Sequence, residues 1–179
     1  TDILLADFEG GAYPPGWTTT GEAFGAAPAN GTLPRQGTVT DFIGEGLVNS
    51  YIDGDGPTGS LLSTEFVISR TNLCFLIGGG NHPGETDVRV LVDGAVVARA
   101  TGDTSESLDW HVFDLSSCQG ATGRISIIDF ASGGWGHVLA DHLFLTDDPS
   151  DPGARWDTSF APADARAADW SDWLVSMRL

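Results

Sequence analysis

Lysine is absent from this sequence. All eight basic residues are arginine, against 25 acids, for a formal charge of −17. A nucleic-acid partner needs clustered positive charge, and none is present. The same balance speaks against anionic membranes and strongly acidic polysaccharides, and is otherwise a matter of solubility. No apolar run approaches the roughly 20 residues that span a bilayer. No signal peptide is recognisable, and the chain begins at Thr1, as a processed or excised piece would. Cysteine is scarce: Cys74 and Cys118 could pair in an extracellular setting or be two buried thiols.

The patterns of catalysis are missing as well. There is no Gly-x-Ser-x-Gly setting for a serine nucleophile. The four histidines, His82, His111, His137 and His142, make no His-x-x-x-His spacing, and no Cys-x-x-Cys zinc pattern occurs. Acids are abundant, but abundance is not a paired-carboxylate site. Asp53-Gly54-Asp55 opens like a calcium loop, yet no acid closes an EF-hand at the required distance. No residue is assigned a catalytic role, and the chain is expected not to be an enzyme.

What is present is glycine, 24 residues of it, with nine prolines, in a chain whose apolar content of 41% can supply one core. Short apolar or alternating runs recur at 3–9, 39–43, 46–51, 61–68, 72–77, 110–115, 124–130 and 137–145. Val88, Val90 and Val92 alternate with polar residues up to Asp93-Gly94, and 96–100 returns, which is a hairpin. Residues 17–38 read as a loop anchored by Trp17, Phe24 and Leu33. Nine or ten strands with no helix before residue 150 predict an all-β fold, a β-sandwich of jelly-roll type, with an up-and-down barrel as the weaker alternative.

Two glycine clusters end two of these strands: Gly78-Gly79-Gly80, and Gly133-Gly134-Trp135-Gly136-His137. Antiparallel strand counting places both at one rim, with loops 53–59 and 101–109, and with Glu9 if the first and last strands pair. Glycine lets a ligand approach the main chain. Trp135 would offer an aromatic face to sugar C–H groups. Glu9, Asp103 and Glu106 would accept from hydroxyls, the main chain of Gly78, Gly79 and Gly80 would line the cup, and His137 could donate. Asp7 or Glu9 with Asp141, on adjacent first and last strands, would repel unless a cation such as calcium sat between them.

The tail changes character. Residues 147–168 read as a linker, and Trp170, Trp173, Leu174 and Met177 fall on one face of a short helix over 169–179. That helix is either docked on the preceding domain (1–146), a stub of a following one, or a contact with a neighbouring chain.

Several runs in order carry a resemblance: Ala6-Asp7-Phe8-Glu9, Gly21-Glu22-Ala23-Phe24-Gly25, Gly46-Leu47-Val48-Asn49-Ser50, Phe75-Leu76-Ile77-Gly78-Gly79-Gly80, Leu91-Val92-Asp93-Gly94, Gly133-Gly134-Trp135-Gly136-His137 and Asp141-His142-Leu143-Phe144. Together, over residues 3–146, they resemble the fructan-binding modules, family 66 of the carbohydrate-binding modules, attached to bacterial levanases and related family 32 glycoside hydrolases. The resemblance implies a β-sandwich that binds terminal fructose of levan or a similar neutral glycan. It also implies a structural calcium, a covalently linked catalytic domain and a secreted or extracellular setting. A structural or assembly domain contacting a partner protein is the alternative, and a metal-dependent hydrolase at the acidic rim a weaker one.

Overall fold

The computed structural model describes residues 1–156, so the expected helix at 169–179 and most of the expected linker lie outside the described residues. The strands in chain order are β1 (Ile3–Ala6), β2 (Thr18–Gly21), β3 (Val48–Asn49), β4 (Gly59–Leu62), β5 (Phe66–Val67), β6 (Asn72–Gly79), β7 (Thr86–Val92), β8 (Ala95–Thr101), β9 (Ser105–Asp114), β10 (Thr122–Asp129) and β11 (Val138–Thr146). A 3-10 turn at Ser116–Cys118 and one short helix, α1 (Pro152–Trp156), complete them.

The strands form two antiparallel sheets. Sheet A runs β1-β11-β6-β9, with β3 also on β11; sheet B runs β2-β4-β10-β7-β8, with β5 also on β10. This is the expected β-sandwich. The sheets share no ladder, which removes the barrel alternative.

Side chains alternate across a strand, so the central strands bury both faces. Leu73, Phe75 and Ile77 of β6 join Val88, Val90, Ile125, Ile127, Leu143 and Leu145 in the core between the sheets. The opposite face of sheet A carries a second cluster, Leu76, Leu108 and Leu139, covered by Val39 and Leu47 with Phe42 and Ile43 packed against it. That cover explains why 39–43 is not a strand. Its apolar residues lie down on sheet A, and only Thr40 makes a bridge, to Ser107. The run expected as one strand at 61–68 is broken between β4 and β5, where the Ser63 hydroxyl accepts the Ile125 N–H at 2.8 Å. Strand β2 was not expected. It is a Thr-rich sheet edge with every residue exposed, so no hydrophobic alternation marks it.

The β7–β8 hairpin turns on Asp93 (φ 51°) and Gly94 (φ 76°), the left-handed pair that a two-residue turn of this hand requires. Cys74 and Cys118 are free thiols. Burial pushes the Cys74 thiol up to about 11, so it is protonated and inert at neutral pH. Within 147–168 the first residues are folded back: Trp156 of α1 packs on His142 (4.6 Å between centroids) and Phe144 (5.4 Å). No helix among the described residues is long and apolar enough to cross a membrane.

Candidate functional site

The ends of β6, β9 and β11 meet the loop after β3 at one rim, as strand counting requires. His137, the residue before β11, sits at its centre and is only 2% exposed. One imidazole nitrogen lies 2.7 Å from Asp55 Oδ1 and the other 3.2 Å from Glu106 Oε2. Burial opposes the charged ring, but hydrogen bonds to Glu106 and Asp55, and then their charges, raise the His137 pKa above its ordinary value. The imidazole between two carboxylates thus ties the loop after β3 and the start of β9 to the loop before β11.

Trp135 stands on this clasp. Its ring stacks on His137 at 5.6 Å and 21°, its main-chain N–H donates to Asp55 Oδ2 at 3.1 Å, and its backbone is left-handed (φ 59°). Trp135 as a residue is 37% exposed. Tyr51 packs edge-on to His137 at 5.0 Å. Behind Glu106, Gln36 Nε2 donates to Glu106 Oε2 (2.9 Å), and Asn49 Nδ2 donates to Gln36 Oε1 (2.8 Å). The result is a rigid, partly exposed aromatic face with acidic groups beneath its rim.

The glycines have a different place from the one expected. Gly78, Gly79 and Gly80 are buried, not open main chain at the mouth of a cup. The Gly80 N–H donates to His137 O (2.9 Å), and Gly79 O accepts from Thr104 N (2.9 Å). Gly80 O accepts from the Thr101 hydroxyl (2.9 Å). A Cβ on Gly80 would meet the carbonyl oxygen of Trp135 at 1.9 Å, and one on Gly79 that of His137 at 2.5 Å. Their missing side chains let the 133–137 loop close onto β6, so they seat Trp135 from below. Asp103 is exposed beside this anchor.

Glu9 is not brought to the rim. Strand β1 does pair antiparallel with β11, but only at Leu143–Leu145, so Glu9 stops partway along the sheet edge. There its Oε1 accepts the N–H groups of Glu45 (2.9 Å) and Gly46 (3.0 Å). Asp7 and Asp141 share this edge. Asp141 is fully buried at a bulge in β11 and accepts N–H groups from Ile43 and His142, both at 2.7 Å. Burial first, and then the charges of Glu9 and Asp7, push its pKa up to about 8. Among the described residues no three His, Cys, Asp or Glu side chains are gathered to hold a metal ion. The fit to calcium is therefore partial: a buried acid beside two others, as a hard cation would favour, without a preformed cage.

Two further groups were not singled out by sequence. Asp129 is fully buried and neither oxygen has a well-formed hydrogen bond; burial pushes its pKa up to about 7, against the weaker opposing pull of the nearby Ser50 hydroxyl, the Ala131 N–H and His137. Its signal was available, a lone acid inside the apolar run 124–130. Asp55 was placed near the rim by strand counting and noted in a failed calcium loop, but its pairing with His137, 82 positions away, leaves no local trace.

No protein-family model matches the chain. It is 38% identical over 173 residues to ecdE of Aspergillus rugulosus, provisionally named a glycosyl hydrolase; the alignment takes in 96% of this chain and 23% of that protein, so the chain spans about a quarter of its relative. Among solved structures, the K1 cleaved adhesin domain of Lys-gingipain from Porphyromonas gingivalis W83 superposes with a TM-score of 0.53 at 16% identity, covering 83% of this chain and 99% of the other. A cyclase from Fischerella sp. TAU superposes with a TM-score of 0.52 at 19% identity, covering 81% and 96%. These likenesses show the fold alone.

Proposed function

We propose that this chain is a non-catalytic carbohydrate-binding module, which holds a neutral glycan at the Trp135 rim and targets an attached glycoside hydrolase to it. The observation that carries the reading is the exposed Trp135 indole stacked on the buried His137 clasp. A flat aromatic face fixed in orientation binds sugar C–H surfaces without losing side-chain entropy, and carboxylates beneath it suit hydroxyl donors. The relative named a glycosyl hydrolase supports the enzyme context. Terminal fructose of levan-type fructans is the proposed ligand, on the strength of the sequence resemblance, with Asp103 and Glu106 as hydroxyl acceptors; a secreted or extracellular setting goes with it. The two acids whose pKa is raised to near neutrality, Asp129 and Asp141, are both fully buried, out of reach of a substrate, which favours binding over hydrolysis.

Affinity electrophoresis against levan, inulin and unrelated glycans tests the reading. Retardation by levan, abolished in Trp135→Ala, is the expected result; no retardation by any glycan would falsify it. Calcium at Asp7 and Asp141, with Glu9 beside them, is part of the proposal. A higher melting temperature in calcium than in chelator, lost in Asp141→Asn, is expected, and identical melts would remove the ion.

A further inference from the structure

The geometry around His137 asks its ring for two donors at once. Nδ1 lies 2.7 Å from Asp55 Oδ1 and Nε2 lies 3.2 Å from Glu106 Oε2, and an ionised carboxylate only accepts. Both carboxylates act as acceptors elsewhere too. Asp55 Oδ2 takes the Trp135 main-chain N–H at 3.1 Å, and Glu106 Oε2 takes Gln36 Nε2 at 2.9 Å. A histidine ring bears hydrogen on both nitrogens only when charged. The neutral ring has one, so one contact must then set a nitrogen lone pair against a carboxylate. The longer contact, to Glu106, is the one that yields.

The same ring is the floor of the loop that carries Trp135. Residues 130–136 leave β10 after Asp129 and enter β11 through His137. Residues 132–135 are exposed, and a Cβ on Gly133 or Gly134 would meet nothing within 4 Å, so packing does not fix the tip of this loop. Its ties include the two Asp55 contacts, the Gly80 N–H to His137 O (2.9 Å) and the stack of Trp135 on the imidazole. His82 Nε2 lies 3.1 Å from Gly134 O, a contact that a donating nitrogen makes in either charge state. Tyr51 packs edge-on to the ring. One further acid acts on it: Asp129, fully buried at the end of β10, whose charge couples to His137 and Asp55. Burial opposes the charged imidazole, but the hydrogen bonds and charges of Glu106 and Asp55 outweigh it and move its titration above the ordinary range.

We propose that His137 is a proton-operated latch for the Trp135 rim. With hydrogen on both nitrogens it holds Asp55 and Glu106 together and the rim is formed. On losing one to solvent it lets Glu106 go and the rim loosens, so a glycan held in acid is released toward alkaline pH. The latch regulates the glycan site proposed above and, for its effect on binding, rests on that reading.

The test follows the ring nitrogens of His137 and the indole N–H of Trp135 by NMR in the full chain, between about pH 5.5 and 9, either side of the ordinary histidine value. Retention on levan is measured at the same pH values. His137 should lose a proton in this range and the Trp135 resonance should step at the same midpoint. Levan retention should fall roughly tenfold across it, the population shift that one charge-assisted hydrogen bond supports. In Asp55→Asn the amide oxygen still accepts the Trp135 N–H while the amide N–H donates to a neutral ring, so the Trp135 step should vanish. A ring that titrates without moving Trp135 overturns the latch, and so does a ring that keeps one charge state throughout. A step that survives in Asp55→Asn also overturns it, because the switch would then lie elsewhere. Coincident steps at His137 and Trp135 with no levan retained at any pH would remove the glycan reading and keep the latch. Retention that stays level across the step overturns the control of binding and leaves the rim reading standing.

Discussion

The rim around His137 and the β1–β11 edge around Asp141 both bury ionisable groups, and they treat them in opposite ways. At the rim each nitrogen of the imidazole meets a carboxylate, Asp55 from the loop after β3 and Glu106 from β9, and although burial opposes it their hydrogen bonds and charges shift the ring toward its charged form. At the edge Asp141 has main-chain donors but two acids for company, and its proton is retained to about pH 8. His142, next in sequence, lies among aromatic rings; burial lowers its pKa to about 4, only partly offset by Asp7, so it stays neutral. A buried charge survives where the fold supplies an opposite one, and is discharged by its proton where it does not.

Breaking the rim from below should have the largest effect. Gly80→Ala drives a Cβ into the Trp135 carbonyl, a main-chain atom that cannot swing aside. A loss above about 4 kcal/mol, or failure to fold, is expected in denaturant titration. Gly134→Ala, with nothing within 4 Å of its Cβ, is the control and should cost under about 0.5 kcal/mol.

Removing the clasp comes next. His137→Ala leaves Asp55 and Glu106 facing each other without the imidazole between them, and should cost about 2–4 kcal/mol. Glycan retention should fall with it, because the Trp135 ring loses its support. Retention at the wild-type level would show that the indole is positioned by its main chain alone.

The pH dependence sharpens the contrast. Asp129 and Asp141 have raised folded-state values, about 7 and about 8. The folded chain therefore keeps protons that the unfolded chain releases above about pH 4, and stability falls as pH rises through that window. His137 has the same sign: its raised value stabilises below the unfolded pKa, and the benefit is lost as pH climbs through the folded one. His142 runs the other way, with stability rising between about pH 4 and 6.5. Between about pH 6.5 and 8 His142 no longer contributes, so the melting temperature should drop across that interval. Asp129→Asn should flatten the drop and raise the melting point at pH 8. An unchanged slope would show that the Asp129 proton is not involved.

Apart from the Gly134→Ala control, the smallest effect on stability should come from Trp135→Ala. Removing the side chain of a residue 37% exposed, with the Asp55–His137–Glu106 contacts left in place, should cost under about 1 kcal/mol while abolishing glycan retention. Stability and binding would then separate at one residue.

Much of this fold was legible in the order of the residues. The Val88–Val90–Val92 alternation with Asp93-Gly94 produced the hairpin as expected, and the apolar runs at 72–77, 124–130 and 137–145 became the three central strands, because a strand buried on both faces shows no gaps. Strand β2 and the covering segment at 39–43 were not legible. A Thr-rich edge has no buried face to betray it, and apolar residues that lie on the outside of a sheet look like those that join one.

For the site, sequence alone determined that the two glycine clusters share a rim, since antiparallel strands of similar length alternate their loops between two ends. It also singled out Trp135, flanked by glycines. Tertiary structure decided the rest. It turned the Gly78–Gly80 run from an open cup into a buried seat, because the 133–137 loop packs against it at distances that no Cβ permits. It stopped Glu9 short of the rim, because β1 pairs with only the far half of β11. It made His137 the centre of the site by bringing Asp55 and Glu106 to its two nitrogens, pairings across 82 and 31 positions that no local pattern encodes.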